Sequence, residues 1–198
     1  MIRRLFEYGS EKAKVIGREN IYDYSLGNPS IPAPPAVNEA LIDILQNDRN
    51  PALHGYSNTV GFDDTRKAIA DDLTARMGMT IHPGELIMTT GVAPGLSAVI
   101  GALNIDENTE IAVIAPFFPE YRIISEGTGN KLTVVDADTE HLQINLDDFR
   151  RKINEHTQAV ILNSPNNPTG AVLKEEVLRA AAEILEESTS ITWFRQKL

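Results

Sequence analysis

Residues 159–170 read AVILNSPNNPTG, a short apolar run followed by a turn that holds two prolines and two asparagines. Three comparable apolar runs come earlier, at residues 86–90, 111–115 and 132–135. Helix-like segments separate the runs, and short β-branched runs that alternate with helices are typical of a parallel sheet covered on both faces. The sequence therefore predicts an α/β fold.

The predicted helices have apolar residues that recur every three or four positions. They span residues 36–45, 63–77, 94–103, 120–126, 147–153 and 174–187. In a sheet of this kind, ligands bind at the carboxyl ends of the strands. Those ends fall at Gly91, at Pro116 and at residues 163–170, so these are the places where we expect a site.

The composition narrows the possible functions. The chain has 198 residues with 18 basic and 28 acidic side chains, a net charge of -10, which argues against binding nucleic acid or an anionic membrane surface. The absence of cysteine excludes disulfides, thiolate metal sites and a cysteine nucleophile, and the four scattered histidines predict no metal site. No apolar stretch approaches the length of about 18 residues that a membrane span needs, and no secretory signal is recognised. We expect a cytoplasmic protein.

Residues 89–96 read TTGVAPGL and join the first apolar run to the next helix. Pro94 suits the first turn of a helix, because its missing N–H would have no partner there. The free amides of Val92 and Ala93 can hold a phosphate at the positive end of the helix dipole. Taken alone, these residues favour an ordinary strand-to-helix turn, and the glycine spacing does not match a dinucleotide-binding fingerprint.

Residues 116–121 read PFFPEY, with two aromatic side chains between prolines. One ring can pack in the core while the other faces a cleft and stacks on a planar heterocycle. The hexapeptide alone favours a core position for both Phe117 and Phe118. The prolines of SPNNPTG, at residues 164–170, can fix a cis or kinked backbone and so set where an asparagine amide points. Such an amide can donate to a phenolate oxygen.

Together these three segments resemble the fold type I pyridoxal-phosphate (PLP) enzymes, in particular the class I/II aminotransferases of the aspartate aminotransferase superfamily. The segment LGNP at residues 26–29 matches as well, and the resemblance covers about residues 21–187. It implies the three-layer, mostly parallel sheet of the PLP-transferase large domain, here incomplete and preceded by an N-terminal small-domain segment. It also implies PLP as cofactor, amino acid and 2-oxo acid substrates, and a homodimer for the full-length protein.

The resemblance assigns roles to individual residues. Gly27 looks like the glycine whose backbone faces the substrate carboxylate. Tyr56 looks like the tyrosine that reaches the cofactor phosphate of the other subunit. Gly91, Val92 and Ala93 look like the phosphate loop, in which the last two serve through their backbone amides.

Two further cofactor contacts follow from the same resemblance. Phe118 looks like the aromatic residue that stacks on the pyridine ring. Asn167 looks like the asparagine that hydrogen-bonds the phenolic oxygen of the cofactor.

The family binds its cofactor covalently through a Schiff-base lysine in a serine-rich segment, and no lysine of this sequence has that context. The seven lysines are Lys12, Lys14, Lys67, Lys131, Lys152, Lys174 and Lys197. The aspartate that pairs with the pyridine nitrogen and the arginines that grip phosphate and carboxylate are also missing. We therefore expect a chain truncated before the Schiff-base lysine, with no catalytic residue of its own and no activity alone.

We predict an N-terminal arm and small-domain segment at residues 1–35, an incomplete PLP-binding large domain at 36–187, and an atypical tail at 188–198. One hypothesis is that the tail is out of frame, and the alternative is a natural tail that forms an edge strand. In the family fold the first strand lies beside strands that come late in the chain. We therefore expect residues 86–90 to lack ladder partners.

Two alternatives to an aminotransferase stay open. One is a PLP-dependent carbon–sulfur β-lyase of the same fold, because the residues that choose the reaction are mostly absent. The other is a non-catalytic remnant, or a fragment that pairs with a full-length homologue.

Overall fold

The computed structural model describes residues 2–24, 27, 31–47, 51–187 and 192–196. The chain divides into two compact units, Met1–Ser57 and Asn58–Leu198. The domain boundary expected after residue 35 stays a prediction. Among the described residues, no helix combines the length and the apolar character that crossing a bilayer requires.

The Met1–Ser57 unit holds two α-helices, α1 (Ile2–Ile16) and α2 (Pro35–Asn47). Pro35 stands at the first position of α2, where its missing N–H costs no hydrogen bond. Every residue of α2 is exposed. The exposed side chains include the apolar residues expected on one face, which are Val37, Leu41, Ile44 and Leu45.

In the Asn58–Leu198 unit, helices and strands alternate as predicted from residue 92 onward. The elements are α3 (Asp63–Met77), α4 (Val92–Ala102), β1 (Glu110–Ile114), α5 (Glu120–Gly127), β2 (Lys131–Val135), α6 (Leu146–Lys152), β3 (Thr157–Asn163), α7 (Glu175–Glu186) and β4 (Thr192–Gln196). The strands form one sheet in the order β2-β1-β3-β4, and all three strand pairs are parallel. The predicted helices and the last three predicted strands begin and end within two residues of the observed bounds.

The sheet lies between two helical layers, because successive strand residues point to opposite faces. Ile111 and Val113 of β1 belong to a buried cluster with side chains of α4 and α5. Ala112 and Ile114 belong to a second cluster, with side chains of α6 and α7. Each fully buried aliphatic side chain stabilises the fold by roughly 1.5–3 kcal/mol. The predicted three-layer α/β architecture is confirmed.

Residues 86–90, predicted as the first strand, are not a strand in the structure. Ile87 is 69% exposed, and Met88 donates its N–H to the carbonyl of Val60 at 3.0 Å. A strand needs a neighbour to pair its backbone groups, and among the described residues none lies beside this segment in a ladder. The strand prediction was wrong, and the expectation that this segment lacks ladder partners stays a prediction.

Residues near the C-terminal end of the sequence form the edge strand β4. Thr192–Gln196 pairs in parallel with β3, and residues 192 to 196 lie opposite residues 159 to 163. An edge strand at this position is what the second hypothesis for the tail predicted. The out-of-frame hypothesis stays a prediction.

A buried charge cluster ties α6 to the end of β2. The side chain of Asn145 caps the helix by accepting the Asp148 N–H at 3.0 Å. The buried carboxylate of Asp148 accepts the backbone N–H of Asp136, just after β2, at 2.8 Å. It also pairs with Lys152 at 2.8 Å and with Arg151.

The cluster shifts the pKa values of both central groups. The hydrogen bond from Lys152, and after it the bond from the backbone of Asp136, lowers the pKa of the Asp148 carboxyl. The bond to Asp148 in turn raises the pKa of Lys152, whose ammonium also donates to the carbonyl of Val134 at 2.7 Å. Folding therefore favours the charged form of both groups.

Candidate functional site

The carboxyl end of the sheet carries a cavity of about 180 Å³. Its wall includes Val92 and Ala93 from the first turn of α4 and Phe118 from the segment after β1. Asn167, from the turn after β3, completes the set. The structure thus brings together residues from all three segments that the sequence singled out.

The α4 side of the cavity is a helix start with free amides. Gly91 precedes the helix with a φ of 104°, a conformation that residues with a Cβ rarely adopt. The hydroxyl of Thr89 donates to the Gly91 carbonyl at 2.8 Å and holds this turn. No side chain caps the helix, so the N–H groups of Val92 and Ala93 are available to an anion.

The aromatic segment contributes one ring to the cavity. Phe117 and Phe118 both pack against the buried cluster beneath α4 and α5, as the hexapeptide alone favoured. Only Phe118 of the two also lines this cavity. Its ring meets the Tyr121 ring edge-on, with centroids 5.8 Å apart and planes at 84°. Burial raises the pKa of the Tyr121 phenol.

The turn after β3 is held by Asn166. Its Nδ2 donates to the carbonyl of Pro116 at 3.2 Å, which joins this turn to the aromatic segment. Its Oδ1 accepts the Thr169 N–H at 3.2 Å and the Thr169 hydroxyl at 3.0 Å. The peptide bonds before Pro165 and Pro168 are cis. With Asn166 engaged in the turn, Asn167 is left exposed at the cavity.

The other predicted site residues stand apart from this group. Gly91 adjoins the cavity through Val92, and its phosphate-loop role stays a prediction. Gly27 and Tyr56 belong to the Met1–Ser57 unit, where both are exposed, and their assigned roles also stay predictions. Leu26, Asn28 and Pro29 of the matching LGNP segment lie outside the described residues.

Some cavity residues received no role from the sequence, although most of them lie in the segments where a site was expected. They are Leu96, Glu120, Tyr121, Ile124 and Asn163. Tyr121 follows Phe118 by three residues and lies in the first turn of α5, so a helical start after Pro119 was the available signal. Asn163 is the last residue of β3, and a polar residue at that end of a buried strand was the signal there.

No lysine in the described part of the chain lines this cavity. The described lysines have other neighbours: Lys12 lies over the Tyr8 ring, and the pairs are Lys14–Glu11, Lys67–Asp71, Lys131–Asn108, Lys152–Asp148 and Lys174–Glu176. The expectation that no lysine of the sequence stands where the family has its Schiff-base lysine stays a prediction.

A cavity at the carboxyl ends of parallel strands, beside a free helix start, is typical of α/β enzymes that bind small phosphorylated ligands. The model of the family aminotransferase class I and II matches residues 19–194, and the chain belongs to this family. The resemblance seen in the sequence is confirmed.

Individual relatives agree with the family. The chain is 30% identical to the probable aspartate/prephenate aminotransferase of Aquifex aeolicus over 169 residues, 85% of this chain and 42% of that protein. It is 29% identical to the glutamate-pyruvate aminotransferase AlaA of Haemophilus influenzae over 175 residues, 86% of this chain and 42% of that one. A crystal structure of an amino transferase from Eubacterium rectale matches with a TM-score of 0.93 and 43% identity.

The Eubacterium rectale match covers 98% of this chain and 50% of the other. The chain therefore spans half or less of the length of these relatives.

Proposed function

We propose that this chain supplies the first half of the cofactor-binding site of a PLP-dependent aminotransferase, which transfers an amino group between an amino acid and a 2-oxo acid. The observation that carries the proposal is that Val92, Ala93, Phe118 and Asn167 all line the same cavity. The relatives are named as aminotransferases of aspartate and prephenate or of glutamate and pyruvate, and these names support the two substrate classes.

The cavity residues fit the parts of PLP. The uncapped amides of Val92 and Ala93 suit the phosphate, because the positive end of a helix dipole favours an anion. The Phe118 ring suits the face of a pyridine, and the side-chain amide of Asn167 is a donor for the phenolic oxygen. When bound, PLP supplies an electron sink for bonds at the α-carbon of the substrate.

The wider assignments of the family complete the proposal. Tyr56 reaches the phosphate in the other subunit of a homodimer, and Gly27 offers its backbone to the substrate carboxylate. Both residues are exposed, as a residue that contacts a substrate or a second subunit must be. We place the protein in the cytoplasm, in amino-acid metabolism.

A second reaction of the same fold, carbon–sulfur β-lyase activity, remains the alternative. The relatives reported above are named aminotransferases, which favours amino-group transfer. With a full-length protein, activity on an amino acid and 2-oxoglutarate would support transfer. Activity on cystathionine instead would support the lyase.

Replacing Asn167 with alanine is expected to weaken PLP binding by this chain roughly tenfold or more, because a hydrogen bond to a charged oxygen is lost. The measurement is a titration of the chain with PLP followed by absorbance. Asn108→Ala is the matched control, since Asn108 is a half-exposed asparagine just before β1, at the opposite end of the sheet from the cavity. It should bind PLP as the wild type does. If the wild type fails to bind PLP, or Asn167→Ala binds equally well, the proposal is wrong.

A further inference from the structure

Asn163 is a buried amide that the assigned site does not use. It ends β3, is 7% exposed and lies in the wall of the cavity. Its Oδ1 accepts the backbone N–H of Asn167 at 2.7 Å. Its Nδ2 is enclosed and has no hydrogen-bond partner among the described residues.

The bond to Asn167 fixes the orientation of this amide. Only the oxygen of a side-chain amide can accept an N–H, so Oδ1 must face Asn167 and Nδ2 must face away. A buried donor without a partner opposes folding. An asparagine that served stability alone would have hydrogen-bond partners for both Oδ1 and Nδ2. We therefore look for the role of Asn163 in the bond that Oδ1 accepts from Asn167.

Through this bond, Oδ1 of Asn163 fixes the backbone of Asn167, the residue proposed to bind the cofactor. Asn167 lies between Asn166, which is engaged in the turn, and Pro168, which has no N–H. The tie from Asn163 therefore acts on the backbone of Asn167 itself. It joins a rigid, buried strand to an exposed residue of the turn.

We propose that Asn163 is a positioning residue that fixes the backbone of Asn167. The side-chain amide of Asn167 is then already directed into the cavity when the ligand binds. The ligand part of this inference rests on the proposed function. A donor fixed in advance loses less conformational entropy on binding. Loss of the tie therefore weakens PLP binding even though Asn163 itself stays outside the set of cofactor contacts.

Two variants of Asn163 separate the tie from general packing. Asn163→Leu removes the acceptor while keeping the branched shape of the side chain, and Asn163→Asp restores an acceptor in the same place. Asn130→Ala is the matched control, because Asn130 is buried, precedes β2 and donates to the carbonyl of Ile100 on α4. Hydrogen exchange of the Asn167 amide, measured by NMR, reports the tie without any ligand. PLP titration reports its consequence.

In Asn163→Leu we expect the Asn167 amide to exchange about tenfold faster and PLP to bind about tenfold more weakly. In Asn163→Asp the exchange should return towards the wild-type rate. Asn130→Ala should lower Tm while leaving both the Asn167 exchange and the PLP affinity unchanged.

Unchanged Asn167 exchange in Asn163→Leu would overturn the inference. So would equal acceleration in the leucine and aspartate variants, or wild-type PLP affinity in Asn163→Leu despite faster exchange. A wild-type chain that binds no PLP would instead overturn the proposed function, while the exchange rates still decide whether Asn163 fixes Asn167.

Discussion

With PLP, an amino acid and 2-oxoglutarate, the 198-residue chain is expected to show no transamination. The family resemblance implies a lysine that would both hold the cofactor as a nucleophile and move the proton. Loss of proton transfer alone removes a factor of about 10²–10⁴ in rate, and loss of the nucleophile adds to this. No lysine in the described part of the chain lines the cavity.

Among the described lysines, the one whose surroundings most resemble those of a catalytic lysine bonds other groups. Lys152 has a half-buried side chain, which is the environment that activates catalytic lysines. Its ammonium, however, bonds the Asp148 carboxylate and the Val134 carbonyl, and its pKa is raised, not lowered. A raised pKa keeps the amine protonated and therefore non-nucleophilic at neutral pH.

Borohydride reduction in the presence of PLP, followed by peptide mass spectrometry, checks this result. We expect scattered, substoichiometric labelling of surface lysines. The full-length Aquifex aeolicus relative serves as the positive control. One lysine labelled to completion, together with turnover, would contradict the expectation.

Replacing Asp148 with asparagine is expected to destabilise the folded chain at neutral pH and to flatten its stability profile in acid. The substitution removes the charge that pairs with Lys152 and Arg151. It also leaves the half-buried Lys152 ammonium without its carboxylate, and removing one partner of a shielded ion pair costs more than the pair contributes.

The pH window follows from the direction of the Asp148 pKa. Folding lowers this pKa, so the folded state holds the charged carboxylate more tightly than the unfolded chain does. The stability gained is fully present above the unfolded pKa of about 3.9 and is lost as the pH falls through the lower folded pKa. Lys152 sets the upper end of the pH range over which the pair stabilises the fold. Its raised pKa contributes stability that is lost in strong base.

Urea unfolding of the wild type and Asp148→Asn between pH 2 and 8 measures this difference. The two curves should be well separated near pH 7 and should approach each other as the pH falls below the unfolded pKa of about 3.9. Asp147→Asn is the matched control, since Asp147 is the exposed neighbour in the first turn of α6. It should follow the wild type. Equal separation of wild type and Asp148→Asn at every pH would rule out this account.

The sequence predicted most of the Asn58–Leu198 unit because its elements have strong local signals. Apolar strands such as residues 159–162 and the proline-rich turn after them can be recognised without knowledge of their neighbours. Residues 86–90 have the same local signal but lack strand partners among the described residues, and apolar runs carry no information about partners.

The candidate site was predictable to a similar degree. Phe118 and Asn167 could be selected only through the family resemblance, which the proline-marked segments around them made recognisable. Asn163 could not, because its importance depends on which end of its amide faces Asn167, and this is settled by tertiary packing. The burial of Asp148 could likewise not be predicted, since nothing in the neighbouring sequence shows that a carboxylate at the start of a helix is buried.

The walls of the cavity come from segments far apart in the chain, and the sheet, together with α4 packed against it, brings Val92, Phe118 and Asn167 together. A ligand that fills the cavity therefore binds the folded chain and has no equivalent site on the unfolded one. Ligand binding and folding are consequently linked equilibria. At a concentration one hundred times its Kd, such a ligand would add about 2.7 kcal/mol to the free energy of unfolding. Measuring how much ligand is bound in the cavity therefore reports the fraction of chains in which this unit is folded.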